Sequence, residues 1–270
     1  MTMIEKRVES FYNFKKLPFG KDISPADMYA SAALKELRSR LDYMKSHRGL
    51  MLLTGSPGVG KTAALRSFTA SLTPASYLII YTPLSTVTVT DFYRQLNTAL
   101  GGAPKWRKND VFASIQLQIR DQVTQQKKVP IIILDEAHLL SVDNLIELQI
   151  IANFQMDSID PALFILAGQS HLRDKLAVPI FDSLLQRIHL KFLLPPLSQE
   201  ETGLFLAHHL KIAGCSSLIF APDAVDAIYQ NTAGIHRKVS LLALKTLTLG
   251  ALQKKDTLSS EDVFQAFKEI

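Results

Sequence analysis

The chain is poor in cysteine and in long apolar runs, and each scarcity excludes something. One cysteine, Cys215, among 270 residues rules out an internal disulfide and a cysteine-based zinc site. Its expected role is that of a small buried apolar residue. The longest apolar stretches, such as 130–134 and 163–167, fall far short of the ~20 residues a bilayer-crossing helix needs. The opening residues Met1-Thr2-Met3-Ile4-Glu5-Lys6-Arg7 are polar, with no apolar signal segment behind them. These features point to a soluble cytoplasmic protein with no membrane segment. Neither sign of charge dominates: 30 Lys and Arg against 25 Asp and Glu leave a net charge of +5. That mild excess is compatible with nucleic acid without establishing it. A hydrophobic content of 47% supports a real core, and a charged content of 20% argues against disorder.

What is present is a phosphate-binding loop. Gly55-Ser56-Pro57-Gly58-Val59-Gly60-Lys61-Thr62 fits G-x-x-x-x-G-K-[ST] at every fixed position. Its glycines let backbone N–H groups turn toward anionic oxygens with no Cβ in the way. Lys61 has the reach for the β- and γ-phosphates, and the Thr62 hydroxyl suits Mg²⁺. Apolar Leu50 to Leu53 before the loop reads as a buried strand. Ala63 to Phe68 after it reads as a helix whose N-terminus faces the phosphates.

Around that motif, strands and helices alternate. Tyr77–Thr82, Ile131–Leu134, Leu163–Leu166 and Ile188–Leu194 read as further strands. Residues 31–47, 91–100, 111–126 and 144–153 read as helices. Five strands alternating with helices predict an α/β fold with a parallel sheet covered on both faces. After Pro195-Pro196 only helices are expected, starting at Ser198 (with capping-box spacing to Glu201), Pro222 and Ser260. The predicted division is therefore an N-terminal arm over 1–30, an α/β nucleotide-binding domain over 31–195 and a small all-α domain over 196–270. The arm is expected to be irregular, with the aromatic stretch 11–19 packed onto the body.

A second motif sits on the strand 131–134. Its four apolar residues end in Asp135-Glu136, downstream of the phosphate loop. Asp135 is the candidate for holding Mg²⁺, together with Thr62. Glu136 is the candidate general base for an attacking water.

With these two motifs the chain resembles the AAA+ ATPase superfamily over roughly residues 30–270. Gly55–Thr62 corresponds to the family's Walker A segment and 131–136 to its Walker B segment. The resemblance implies the P-loop NTPase sheet, a helical lid, ATP with Mg²⁺, slow hydrolysis to ADP and phosphate stimulated by assembly, and sites shared between subunits of a homo-oligomeric ring or filament. It implies a sensor 1 role for Gln169, with a helix cap as the alternative. It implies an arginine finger at Arg187, with a plain surface arginine as the alternative. The sensor 2 pattern Gly-x-Pro-Arg-x-x-Asn meets Gly234 and Arg237 here, but His236 and Ser240 stand where Pro and Asn are expected. Arg237 is the implied lid contact to nucleotide. His138, in Asp135-Glu136-Ala137-His138, is expected to be a structural or relay residue.

The finer resemblance is to the ExeA/GspA and MuB/TnsC-like groups, carried by 14–19, 29–31, 40–43, 135–140, 153–154, 166–169 and 184–188. One role it implies is assembly on duplex DNA, with little sequence specificity, to present a target to a transposase or other recombination protein. The other is a secretion or envelope-assembly ATPase with protein partners. A replication or repair loader is a further alternative. Secretion relatives continue into a transmembrane segment after the lid, whereas this sequence stops at Ile270; the expectation on that ground is transposition. Lys105, Trp106, Arg107, Lys108 and the Thr88 hydroxyl (within Thr86–Thr90) are the candidate DNA contacts. The alternatives are a basic loop with Trp106 anchored in the core, and a helix N-cap at Thr90.

Overall fold

A run of five or six apolar residues needs cover on both faces, and three such runs build the centre of this molecule. The computed structural model describes residues 3–20, 23–82, 87–215 and 217–268. In chain order its elements are α1 (Met3–Tyr12), α2 (Ala32–His47), β1 (Gly49–Thr54), α3 (Lys61–Ala70), β2 (Tyr77–Thr82), α4 (Val89–Ala99), α5 (Lys108–Thr124) and β3 (Val129–Leu134). There follow α6 (Val142–Ile151), β4 (Leu163–Gly168), α7 (His171–Leu176), α8 (Asp182–Gln186), β5 (Ile188–Leu193), α9 (Gln199–Ile212), α10 (Pro222–Thr232), α11 (His236–Gln253) and α12 (Ser260–Lys268). The chain divides into two compact units. One comprises Ala33–Pro57 and Lys61–Leu194; the other comprises Met1–Ala32, Gly58–Gly60 and Pro195–Ile270.

The first unit is a five-stranded sheet of order β2-β3-β4-β1-β5 in which every pairing is parallel. This is the P-loop NTPase fold that the two motifs predict. Central β1 and β4 are buried along their whole length, and β3 from Pro130 onward. Full burial of each Ile or Leu in them stabilises the unit by roughly 1.5–3 kcal/mol. The edge strands β2 and β5 are exposed at several positions, as strands covered on fewer sides should be. Because all five strands run the same way, the carboxyl ends of β1, β3 and β4 meet along one edge, where ligands bind in sheets of this kind.

The second unit is helical. Val8 and Tyr12, four residues apart on α1, bury one face in the apolar core of this unit, where α1 packs on α11. The Tyr12 hydroxyl donates to the Lys255 carbonyl at 3.0 Å. The N-terminal segment, expected to be irregular, therefore begins as a helix, because its i, i+4 apolar pair has a core to join. Ser198 and Glu201 cap α9 reciprocally, as their spacing predicts: Ser198 Oγ accepts from the Glu201 N–H, and the Ser198 N–H donates to Glu201 Oε2. Cys215 is half-buried at the margin of this core rather than inside it. Among the described residues no helix is long and apolar enough to cross a membrane.

Candidate nucleotide site

The loop from β1 to α3 needs two residues that tolerate a left-handed backbone, and glycine stands at both: Gly58 has φ +84° and Gly60 φ +99°. A Cβ built on Gly60 would meet nothing within 4 Å, so open space lies beside that bend. Helix α3 starts at Lys61, which points the N–H groups of its first turn toward the loop. The Lys61 side chain is buried, and its ammonium donates to the carbonyls of Gly55 (2.9 Å) and Ser56 (3.1 Å).

Asp135 leaves the carboxyl end of β3 and is 2% exposed. Its Oδ2 accepts from the Thr62 hydroxyl at 2.8 Å and from the Tyr81 hydroxyl at 2.9 Å; its Oδ1 accepts from the Glu136 N–H at 2.9 Å. The predicted partners Thr62 and Asp135 are thus in direct contact. A hydroxyl and a carboxylate are the hard oxygen donors Mg²⁺ prefers. Tyr81 escaped the sequence reading. Its signal was a polar residue near the carboxyl end of β2, in register with Ile133 on β3. Burial, followed by the hydrogen bond to Asp135, pushes the Tyr81 hydroxyl up to about 12, so it stays a donor at neutral pH.

Glu136 stands at φ +53°, a left-handed conformation that costs a non-glycine residue about 1–2 kcal/mol. Its side chain is 47% exposed, and Oε2 lies 3.4 Å from His138 Nδ1. That same nitrogen is 3.4 Å from the Gln169 N–H. Burial lowers the His138 pKa, opposed by Glu136 and reinforced by His171, Lys61 and Lys175. Gln169 follows β4 directly. Its carbonyl accepts from the Leu172 N–H, and Ser170 rather than Gln169 occupies the cap position of α7.

Arg187 caps the end of α8 immediately before β5. Its guanidinium donates to the Gln149 carbonyl at 3.1 Å and pairs with Asp157 at 3.1 Å. Asp157 lies in a turn where Gln155, Met156 and Asp157 all have positive φ. In the helical unit the Arg237 N–H donates to the Gly58 carbonyl at 3.1 Å.

The remaining candidates lie elsewhere on the α/β unit. Trp106 is 81% exposed, which overturns the core-anchor alternative. The Arg94 guanidinium sits 5.4 Å from its ring centroid and donates to its carbonyl. Lys105 and Arg107 flank it in the exposed segment before α5, and Lys108, the first residue of α5, pairs with Glu147. Thr88, not Thr90, caps α4: its hydroxyl accepts from the Asp91 N–H and lies 2.7 Å from the Asp91 carboxylate. The cap moves because α4 begins at Val89, one residue before Thr90. Thr86 lies outside the described residues.

A family model described as an AAA domain matches residues 34–176, more than half of the chain. Over 267 residues the chain is 26% identical to General secretion pathway protein A of Aeromonas hydrophila, covering 96% of this chain and 48% of that protein. It therefore spans about half the length of that relative. Cdc6p from Pyrobaculum aerophilum aligns with a TM-score of 0.66 at 16% identity, over 97% of this chain and 71% of that one. Drosophila ORC bound to DNA gives 0.63 at 15%, over 99% and 66%. The Thermotoga maritima RuvB Holliday junction branch migration motor gives 0.57 at 18%, over 87% and 67%. At these identities the structural likeness speaks for the fold alone, while the match over 34–176 carries the family: the chain belongs to the AAA domain family.

Proposed function

We propose that the chain is an AAA+ ATPase that binds ATP with Mg²⁺, hydrolyses it to ADP and phosphate, and uses the cycle to govern how copies of itself assemble. The observation that carries this is the convergence of Lys61, Thr62, Asp135 and Glu136 on the carboxyl edge of a parallel sheet. Bound Mg²⁺ would supply charge neutralisation between the β- and γ-phosphates. The loop N–H groups and Lys61 hold the phosphates, and Thr62 and Asp135 would hold the metal. Glu136 takes the proton of the water that attacks the γ-phosphorus, and Gln169 sits beside that reaction. Arg187 serves the site of a neighbouring copy, once released from Asp157 and Gln149. Arg237, whose backbone N–H donates to the Gly58 carbonyl, contacts the nucleotide. Such a cycle runs where ATP is supplied, in the cytoplasm.

For the partner, the relative matched along nearly the whole chain favours a secretion or envelope-assembly system, hence protein partners. The point at which this sequence stops carries no weight against it, since the chain spans about half of that relative. One observation favours the second reading, ATP-dependent assembly on duplex DNA for a transposase or other recombination protein. Trp106 stands exposed among Lys105, Arg107, Lys108 and Arg94, a surface suited to phosphates and stacking. Calorimetry with ATP and Mg²⁺, followed by phosphate release, tests the ATPase reading; no uptake by folded protein would end it. Filter retention of duplex DNA, with and without a non-hydrolysable analogue, separates the partners. Protein partners predict no analogue-dependent retention.

A further inference from the structure

His138 is buried three residues beyond Asp135, and neither phosphate binding nor metal binding calls for an imidazole there. Its Nδ1 has one in-plane site for a hydrogen bond and two neighbours at the same distance. The Gln169 N–H and Glu136 Oε2 each lie 3.4 Å away. A backbone amide only donates, so an unprotonated Nδ1 accepts from Gln169. A carboxylate only accepts, so a protonated Nδ1 donates to Glu136. One nitrogen cannot do both.

The surroundings keep the ring at this choice. A Cβ on Gly168 would come within 2.8 Å of Leu172 and 3.2 Å of the His138 backbone nitrogen, so the glycine lets the turn that carries the ring lie close against β4. The 3₁₀ turn Ala137–Leu139 that carries the ring is clamped by Lys175, whose ammonium donates to the carbonyls of His138 (3.1 Å) and Leu140. His171 meets the ring edge-on with centroids 4.6 Å apart. The backbone of Glu136 is fixed by Asp135, but its half-exposed carboxylate needs an orienting partner, and the ring is in place to be one.

We propose that His138 is a positioning residue that couples the base Glu136 to the carboxyl end of β4 at Gln169, through a single nitrogen that serves one of them at a time. With Nδ1 on the Gln169 amide, the Glu136 carboxylate has no donor among the described residues to orient it. When whatever binds beside Gln169 shifts its amide, the neutral ring changes tautomer by exchange with solvent, losing its proton at Nε2 and taking one at Nδ1. The Nδ1–H then donates to Glu136 and turns the carboxylate toward the water. The proposal rests on the ATPase reading for its consequence, but its hydrogen bond is measurable without nucleotide. The charged and titratable groups facing the ring are Glu136, His171, Lys61 and Lys175.

The test compares His138→Ala, His138→Asn and His138→Gln with wild type. An Asn amide falls near the position of Nδ1, and a Gln amide near that of Nε2. In single-turnover hydrolysis the Ala variant should lose at least roughly tenfold in rate, while its affinity for ATP with Mg²⁺ stays within about threefold. Asn should recover most of the rate and Gln should not, a contrast that filling volume alone would not produce. In nucleotide-free protein at pH 7.5, the imidazole nitrogen-15 shifts of His138 should report an unprotonated Nδ1, and the Gln169 amide signal should move in the Ala variant but not in the Asn variant. A wild-type rate in the Ala variant, rescue by Gln equal to rescue by Asn, or a protonated Nδ1 overturns the proposal. A wild-type chain that takes up no ATP overturns the ATPase reading instead, and the nitrogen shifts then decide the His138–Gln169 bond by themselves.

Discussion

Asp135 and Trp106 lie in opposite surroundings within one unit. Asp135 is almost inaccessible, and its two oxygens take three hydrogen bonds, from Thr62, Tyr81 and Glu136. Trp106 is four-fifths exposed, with Arg94 stacked on it and cations on either side. The first region is held in shape by the protein's own bonds before any ligand arrives, so little has to be ordered when one binds. The second is a surface whose use depends on what meets it. Substitutions at the sheet edge should therefore act on nucleotide uptake or on hydrolysis, and substitutions around Trp106 on association alone.

The largest effect should come from Lys61→Ala. Removing the buried ammonium should weaken uptake of ATP with Mg²⁺ by about a hundredfold or more, read by calorimetry. A variant that still binds within tenfold of wild type would break the view that this edge is preformed for phosphate. Next is Glu136→Gln, which keeps the shape and removes the base. Hydrolysis should fall by about 10²–10⁴ with nucleotide affinity nearly unchanged, and assemblies made with ATP should persist longer. Equal dissociation of variant and wild-type assemblies would remove Glu136 from the role of base.

A third prediction sharpens the contrast between the units. In the helical unit, burial pushes His209 and His236 down to about 4, and the Nδ1 of His236 is buried with no hydrogen-bond partner among the described residues. Both values lie below the ordinary one of about 6.5, so between the two the unfolded chain binds more protons and stability rises with pH. Above about pH 6.5 the rings therefore add no pH-dependent loss. As pH falls from there toward 4, each site forfeits up to about 3 kcal/mol. Hydrogen exchange at pH 5 against pH 7.5 should show the helical unit losing protection before the strands of the sheet. His209→Phe, which stays aromatic between Phe19 and Phe205, should remove part of that acid sensitivity. An unchanged pH profile would refute the assignment to His209.

The smallest effects belong to the exposed segment. Trp106→Ala should change stability by no more than about 0.5 kcal/mol, because the ring has little contact to lose. Replacing Lys105, Arg107 and Lys108 together by Ala leaves the nucleotide site intact. If duplex DNA is a partner, the slope of log affinity against log salt should become shallower by up to about 2.7. An unchanged slope would take this segment out of any nucleic-acid interface.

The sequence by itself determined the parts that rest on local chemistry. Gly58 and Gly60 announce a bend that other residues resist, apolar runs ending in Asp135-Glu136 announce a buried strand with acids at its tip, and Ser198 with Glu201 announces a helix start. Each signal is carried by residues a few positions apart, where backbone geometry fixes what is close. Tertiary structure decided whatever joins distant segments: Tyr81 on Asp135, His138 between Glu136 and Gln169, Arg187 tied to Asp157, and the N-terminal arm folded as a helix onto the helical core. Strand order brings Tyr81 beside Asp135 and the end of β4 beside His138, and that order follows from packing the whole sheet. No spacing in the chain records it.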